Sequence, residues 1–514
     1  MDKIIRFAAL SLIVTSVWAA EFQNGQAARA VIGQASFSSR ETSITPNVLA
    51  ISNGWLYAAD ASHRLLTIDL SQIPGPKQEP APRSDGLCAL CGFSVGAIGN
   101  HAVLPGVAGV SIYGKTVVVA DAQNYRVLIW RDSSLPRAAK GPDIVLGRNG
   151  PDSGASGSTI VDPVSAAFDG KRLFVGDAAL HRILIWNSLP ASDGQPADVV
   201  LGQPDFVPSA STELPGPDTI NSPSAMVSDG TNLFVADALD HRILVFTPAD
   251  LPLASSAVLN SAILTGGHSA PGSLAPGSLA TIAGISLGPS AQSASAGDGA
   301  LPKQLAGVEV FLDGTKLPLL AVSSSEIQVQ LPYGLEAPYA ASLYIRMERP
   351  DGTISTSNAV AVKLVAAAPG VFAFGGSEPR IGMVLHAVAG STAPGTPVTA
   401  ESPAQPGEVL VVWTAGLGLV DDSQAAAPVT AGEPFQGPDA PVEHPVTALI
   451  NGRSAPVLAA DLPEGSIGIY QVRVALPEDL PDDPHTPLVI SQDGILSNTV
   501  VIPVSKSNPF KPVN

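Results

Sequence analysis

Asp60, Asp121, Asp177 and Asp237 recur at nearly even intervals through the first half of the chain. Each is followed four or five residues later by an arginine: Arg64, Arg126, Arg182 and Arg242. Just before three of those arginines stands a histidine (His63, His181, His241), and Tyr125 takes the fourth place. Carboxylates from separate units, turned toward a common axis, could bind a hard cation such as calcium. Histidines from separate units could hold a transition metal or act as general bases. Against both stands the repetition itself, because a residue recurring in every unit usually serves the unit. An aspartate in a tight turn accepts backbone N–H bonds and needs no further role. The expectation is structural: each Asp holds its turn and pairs with its Arg, and no metal or other cofactor is expected.

Cys88 and Cys91, in Cys-Ala-Leu-Cys, are the only cysteines. Zinc would need more ligands nearby, and Gly92 stands where covalent haem attachment would need His. A redox thiol pair is the alternative, but no βαβ pattern surrounds it. In an oxidising compartment these two are expected to form a short loop-stapling disulfide. No nucleophile elbow, phosphate loop, His-Glu-x-x-His or dinucleotide fingerprint stands out.

The elements that would position these residues are strands. With 514 residues the chain should hold three or four domains, and a hydrophobic share of 45% is ample for their cores. The 49 Gly and 47 Pro favour turns over helix interiors. Four segments align, each a β-rich run, an Asp-containing turn and a second β-rich run: 56–68, 117–130, 173–186 and 233–246. A further strand precedes each of the last three copies and ends in turns such as Asp169-Gly170 and Asp229-Gly230. Lead-ins such as Asp143-Ile-Val-Leu-Gly147 and Asp198-Val-Val-Leu-Gly-Gln203 supply a fourth. Four-stranded units repeated radially make propeller blades. Arg29-Ala-Val-Ile-Gly-Gln34 resembles a lead-in yet precedes the first copy, and none follows Phe246. The phase predicts that the strand from Arg29 to Gly33 completes the last blade and closes the ring.

The strand-Ala-Asp-turn-Arg-Ile-strand signature, present with small variations in all four copies, resembles the NHL repeat. The resemblance implies a β-propeller, here of four blades although six is commoner in that family. Some similar propellers are calcium-dependent lactonases or metal-dependent lyases with a site in the central channel. They supply the enzymatic alternative for the Asp and His sets.

Beyond a Gly/Ser/Pro-rich stretch, strands resume without the signature, in two halves that resemble each other. Val308 to Pro318, with Asp313-Gly314 as hairpin turn, parallels Val446 to Pro456 with Asn451-Gly452. Ser357-Asn358 parallels Ser497-Asn498. Each half offers six or seven short strands, as an antiparallel sandwich needs. The halves resemble the TIG-like branch of the immunoglobulin fold, and together an uncharacterised paired C-terminal domain of secreted bacterial proteins. The stretches 393–406 and 421–445 are Pro/Ala-rich and polar, and are expected to be solvated loops, with contact surfaces as the alternative. The expected plan is all-β: signal peptide 1–20, propeller 28–265, linker 266–277, immunoglobulin-like sandwiches 278–366 and 367–505, and tail 506–514.

Lys3 and Arg6, the apolar run Phe7 to Val17 and the small-residue site at Val17-Trp18-Ala19 read as an export signal. The run is shorter than the ~20 residues a spanning helix needs, and no later stretch could span. A net charge of −18 without basic clusters argues against nucleic acid and anionic membranes as partners. The expectation is a secreted, extracellular or periplasmic protein, binding or scaffolding through a protein or carbohydrate ligand.

Overall fold

The computed structural model describes residues 20–506 apart from 42–43, 61–63, 74, 76, 80–93, 98–108, 133–141, 148–154, 208–214, 252–257, 261–272, 295–298, 336–338 and 376–378. Cys88, Cys91, His63 and most of the expected signal peptide lie outside those residues. Among the described residues there is no α-helix, and strands are joined by turns and short 3₁₀ segments.

The repeats form four antiparallel four-stranded sheets. In chain order the strands are β1 (Ala30–Ile32), β2 (Pro46–Ser52), β3 (Trp55–Asp60), β4 (Arg64–Asp69), β5 (Ser94–Ala97) and β6 (Gly109–Tyr113). Then come β7 (Thr116–Asp121), β8 (Arg126–Trp130), β9 (Ile144–Leu146), β10 (Pro163–Phe168) and β11 (Leu173–Asp177). The last are β12 (Arg182–Trp186), β13 (Val199–Leu201), β14 (Pro223–Ser228), β15 (Leu233–Asp237) and β16 (Arg242–Phe246). The first three sheets are β2–β5, β6–β9 and β10–β13, and the fourth is β14-β15-β16-β1. As the phase of the repeats predicts, β1 pairs with β16, matching Ala30 to Val245, Val31 to Leu244 and Ile32 to Ile243.

Each inner sheet is covered on both faces, so its strands read as continuous apolar runs. Successive residues of β11 go to opposite neighbours, because strand side chains alternate. Leu173 and Val175 pack with Val118 and Ile129 of the second sheet. Phe174 packs with Leu233, Val235 and Phe246 of the fourth. The fourth sheet's other face, with Phe234 and Ile243, meets Leu56, Ala58 and Leu66 of the first. Serines pin these contacts. Ser111 Oγ accepts the Phe168 N–H at 2.9 Å, Ser165 Oγ donates to the Pro223 carbonyl at 2.9 Å, and Ser224 Oγ donates to the Pro46 carbonyl at 2.9 Å. The order of packing is thus second, third, fourth, first. Packing of the first sheet on the second, which a closed ring would also need, is not found among the described residues on the scale of the other three.

Glycine is required at the end of three lead-in strands. At Gly33 (φ +89°) a Cβ would lie 2.1 Å from Ile44 Cδ1; Gly147 and Gly202 stand in the same way over Ile160 and Ile220. A left-handed residue with no room for a side chain leaves no other choice.

The remaining strands form two sandwiches. Leu279–Ala283, Leu319–Val322 and Glu326–Gln330 face Val308–Leu312, Tyr339–Glu348 and Val360–Leu364 across a core holding Ile282, Val310, Ile327 and Ile345. The strand Val258–Asn260, which the sequence places in the propeller region, hydrogen-bonds to Leu279–Ala283. In the second sandwich, Val409–Ala415 and Tyr470–Ala475 face Val446–Ile450, Asp483–Gln492 and Val500–Val504. Both expected hairpins form, with Asp313 (φ +49°), Gly314 (+78°), Asn451 (+50°) and Gly452 (+73°) left-handed, as a two-residue I′ turn demands.

The units are tied to one another. Ser342 Oγ donates to the Ala28 carbonyl at 2.7 Å, and the Arg29 guanidinium lies 3.9 Å above the Tyr344 ring, itself stacked on Phe311. The expectation that 421–445 is a plain solvated loop is corrected. Gly432 N–H donates to Gln330 Oε1 of the first sandwich at 2.6 Å, and Phe435 is buried in the second. An apolar anchor and a satisfied amide draw the segment in despite its composition.

Candidate functional site

In the third and fourth sheets the repeated Asp and Arg are bonded to each other and to neighbouring backbone. Asp177 and Arg182, like Asp237 and Arg242, are fully buried. Asp177 Oδ1 accepts the N–H groups of Val161 (3.3 Å) and Asp162 (2.9 Å), and Oδ2 faces Arg182 Nε at 3.4 Å. Arg182 spends its outer nitrogens on the carbonyls of Phe206 and Thr159, both at 2.9 Å. The fourth sheet repeats the pattern. Asp237 Oδ1 accepts from Asn221 (2.9 Å) and Ser222 (2.8 Å), Oδ2 meets Arg242 Nε at 3.0 Å, and Arg242 reaches Phe37 O (2.6 Å) and Thr219 O (2.8 Å). In the second sheet Asp121 and Arg126 pair at 2.8 Å in a more open setting. Asp60 ends β3 and Arg64 begins β4; their side chains lie outside the described residues.

Burial pushes the Asp177 carboxyl up and the Arg182 guanidinium down, each opposed by the other's charge. Burial likewise raises Asp237, against the pull of Arg242. The acceptors of Asp177 and Asp237 are thus taken up by backbone and arginine of their own sheets. Among the described residues no three His, Cys, Asp or Glu side chains converge as a metal site would need.

The histidines have a local explanation. Each 3₁₀ turn after the Asp ends in a left-handed residue: Tyr125 (φ +55°), His181 (+51°) and His241 (+52°). From there His181 Nδ1 bonds to Asn221 O at 2.6 Å, and His241 Nδ1 to Thr45 Oγ1 at 2.9 Å. Asn221 lies just before β14 and Thr45 just before β2, so each ring fastens one sheet to the next.

A constellation the repeats do not signal lies in the second sandwich. His386 Nδ1 is 3.0 Å from Glu408 Oε1, and Nε2 is 3.2 Å from Ser402 Oγ. Hydroxyl, imidazole and carboxylate in that order can activate a nucleophile. Here Nε2 also lies 3.1 Å from the Ser402 carbonyl oxygen. Glu408 Oε1 and the Ser402 carbonyl can both only accept, so the tautomer decides which of these contacts carries an N–H, and Nε2 faces the hydroxyl and the carbonyl of one and the same residue. The Ser402 and Thr399 backbones bond to each other in both directions, at 3.1 and 3.0 Å. The cluster clamps that turn to the strand Val384–Ala387. Three residues spread over 386, 402 and 408 leave no local motif; only the fold reveals them.

A second cluster is ionic. Arg473 contacts Asp461 and lies 2.8 Å from Asp439. Asp461 and Gln471 are cross-strand partners, and Asp461 Oδ1 and Gln471 Oε1 are buried with no hydrogen-bond partner. Burial raises the Asp461 carboxyl, against the pull of Arg473.

No protein-family description matches the chain, and no curated protein does. Among solved structures, Saccharomyces cerevisiae Sqt1 is similar over 39% of this chain and 45% of its own, at 11% identity and TM-score 0.18. The chain thus spans less than half of that structure. BamB from Moraxella catarrhalis is similar over 61% and 84% at 10% identity and TM-score 0.16. A Bacteroides ovatus mixed-linkage glucan utilization locus protein, SGBP-B, solved with a mixed-linkage heptasaccharide, is similar over 48% and 46% at 14% identity and TM-score 0.14. Overlaps this loose carry no weight for fold or activity.

Proposed function

We propose that this chain is an exported binding or scaffold protein: an NHL-type propeller carried on two TIG-like immunoglobulin-fold sandwiches, with a protein or carbohydrate ligand. The observation that carries the reading is the fate of the repeated charged residues. Arg182 and Arg242 give their guanidinium groups to carbonyls of flanking loops, and their Asp partners bind loop N–H groups. The repeats therefore build a stiff platform, and recognition falls to the loops and edges it displays. The ties from Ala28 and Arg29 to the first sandwich fit a display module on a fixed stalk. Export rests on the N-terminal signal pattern and on Cys88 and Cys91, which we expect to be joined in the exported protein.

Purified full-length protein should bind members of a glycan array or a panel of exported proteins, and should carry no stoichiometric metal by elemental analysis. Stoichiometric calcium or zinc together with lactone hydrolysis would overturn the reading in favour of a propeller enzyme. Mature protein should begin near Ala20 and release a Cys88–Cys91-linked peptide in a non-reduced digest. Retention of residues 1–19 would defeat the export proposal.

A further inference from the structure

The inner strands of the four sheets can be aligned through their pairing with the strand that ends in the repeated Asp. Leu49, Val110, Ala166 and Met226 each pair with the residue two before that Asp: Ala58, Val119, Val175 and Val235. Ala166, Met226 and Leu49 are buried at 7%, 7% and 9% exposure, each beneath a neighbouring sheet, whereas Val110 is 55% exposed. Ile112, two residues on and on the same side, is 64% exposed. On the opposite side the equivalent set is Val48, Gly109, Ser165 and Ala225. Here Ser165 is buried and Val48 stands 58% exposed.

Three times the chain builds one interface, with the Ser165-type side of one sheet on the Ala166-type side of the next. The second sheet lies on the third in this way, the third on the fourth, and the fourth on the first. Among the described residues two half-interfaces have no sheet packed on them, Val48 on the first sheet and Val110 with Ile112 on the second. They are complementary halves of that same contact.

We propose that a second copy of this chain completes both. Under a two-fold axis the Val48 side of one protomer meets the Val110 side of the other, and the reciprocal pair forms at the same time. Two four-sheet arcs thereby become one ring with no bare face. A partner of other chemistry would need two unlike surfaces, whereas a second copy already carries both, and closed two-fold pairing is the commonest assembly of identical chains. Apolar side chains this exposed on alternate positions of one strand face are also what an uncovered interface leaves. The inference stands apart from the ligand proposed above, since assembly and ligand binding are read separately.

The test uses the full chain with Cys88→Ser and Cys91→Ser, carrying either Val48→Cys or Val110→Cys. Under mild oxidation each variant alone should stay monomeric on a non-reducing gel, and the mixture should give a covalent dimer, since Cα atoms must come within about 7 Å to bridge. No dimer in the mixture beyond that of either variant alone overturns the proposal. So does a chain bearing both cysteines that loses its thiols yet stays monomeric, because the two faces would then meet within one chain. Light scattering of the unmodified protein guards against misfolded variants. Twice the chain mass is expected, falling to one chain mass in Val110→Asp/Ile112→Asp with the thermal transition unchanged. One chain mass for the unmodified protein at every concentration sinks the idea.

Discussion

Replacing Arg242 by Met keeps most of the side-chain volume and removes one charge from a site with no solvent access. The guanidinium bonds to Asp237, Phe37 O and Thr219 O. Without it Asp237 keeps its two backbone donors but loses its counter-charge, and two loop carbonyls lose a donor. Removing one member of a buried ion pair costs about 3–5 kcal/mol. A unit of this size shifts its melting temperature by roughly 2–4 °C per kcal/mol, so a fall of about 6–20 °C is expected. The control is Arg126→Met, whose pair with Asp121 leaves the arginine 38% exposed; solvent screening limits that loss to about 1 kcal/mol or less. Calorimetry of both variants beside the unmodified protein measures the contrast. Equal small losses would refute the reasoning, since Asp237 and Arg242 would then not be the internal fastening described. Loss of ligand binding by Arg242→Met without loss of stability would point to a role at the surface instead.

Deleting residues 28–34 removes β1 and uncovers Leu244, so the four-sheet transition should fall while the second sandwich keeps its own; calorimetry showing an unchanged first transition would contradict this. Because Asp461 binds its proton more tightly folded than unfolded, it stabilises at acid pH. That contribution should fade as pH climbs from about 4 through the folded value. Asp461→Asn should flatten the decline of the second sandwich's melting temperature over that range, and an unchanged slope would count against the assignment. Ser402 should stay unlabelled by a fluorophosphonate probe, read by mass spectrometry, because its backbone is bonded into the turn with Thr399 and its hydroxyl and carbonyl are both held against His386; labelling would show a live nucleophile.

Much of the first half is legible in the sequence because its signals are local and repeated. The turn Asp, the Arg after it and the apolar run between lead-in glycines all act within a few residues of one another. The return of β1 to β16 was readable as well, since a lead-in without an earlier blade must find its place elsewhere. Side-chain surroundings were not. Val110 and Ala166 occupy equivalent positions in similar apolar strands, and only packing shows one bare and the other covered. His386, Ser402 and Glu408 are brought together by cross-strand register, which no spacing announces. The 421–445 segment looked solvated on composition, yet Phe435 and Gly432 are held by the two sandwiches.

The pairing of β1 with β16 also sets an order of events for a chain that emerges N-terminus first. Ala30 appears early, but its partner Val245 follows only after three sheets' worth of sequence. The carbonyl of Ala28 waits longer still, for the hydroxyl of Ser342. Closing so wide a loop is slow, because entropy must be lost before any contact rewards it. Until then the fourth sheet lacks its outer strand and the first sandwich lacks part of its bearing surface. The two units thus share one late step, and the last-made residues of that contact decide when the first-made ones become structured.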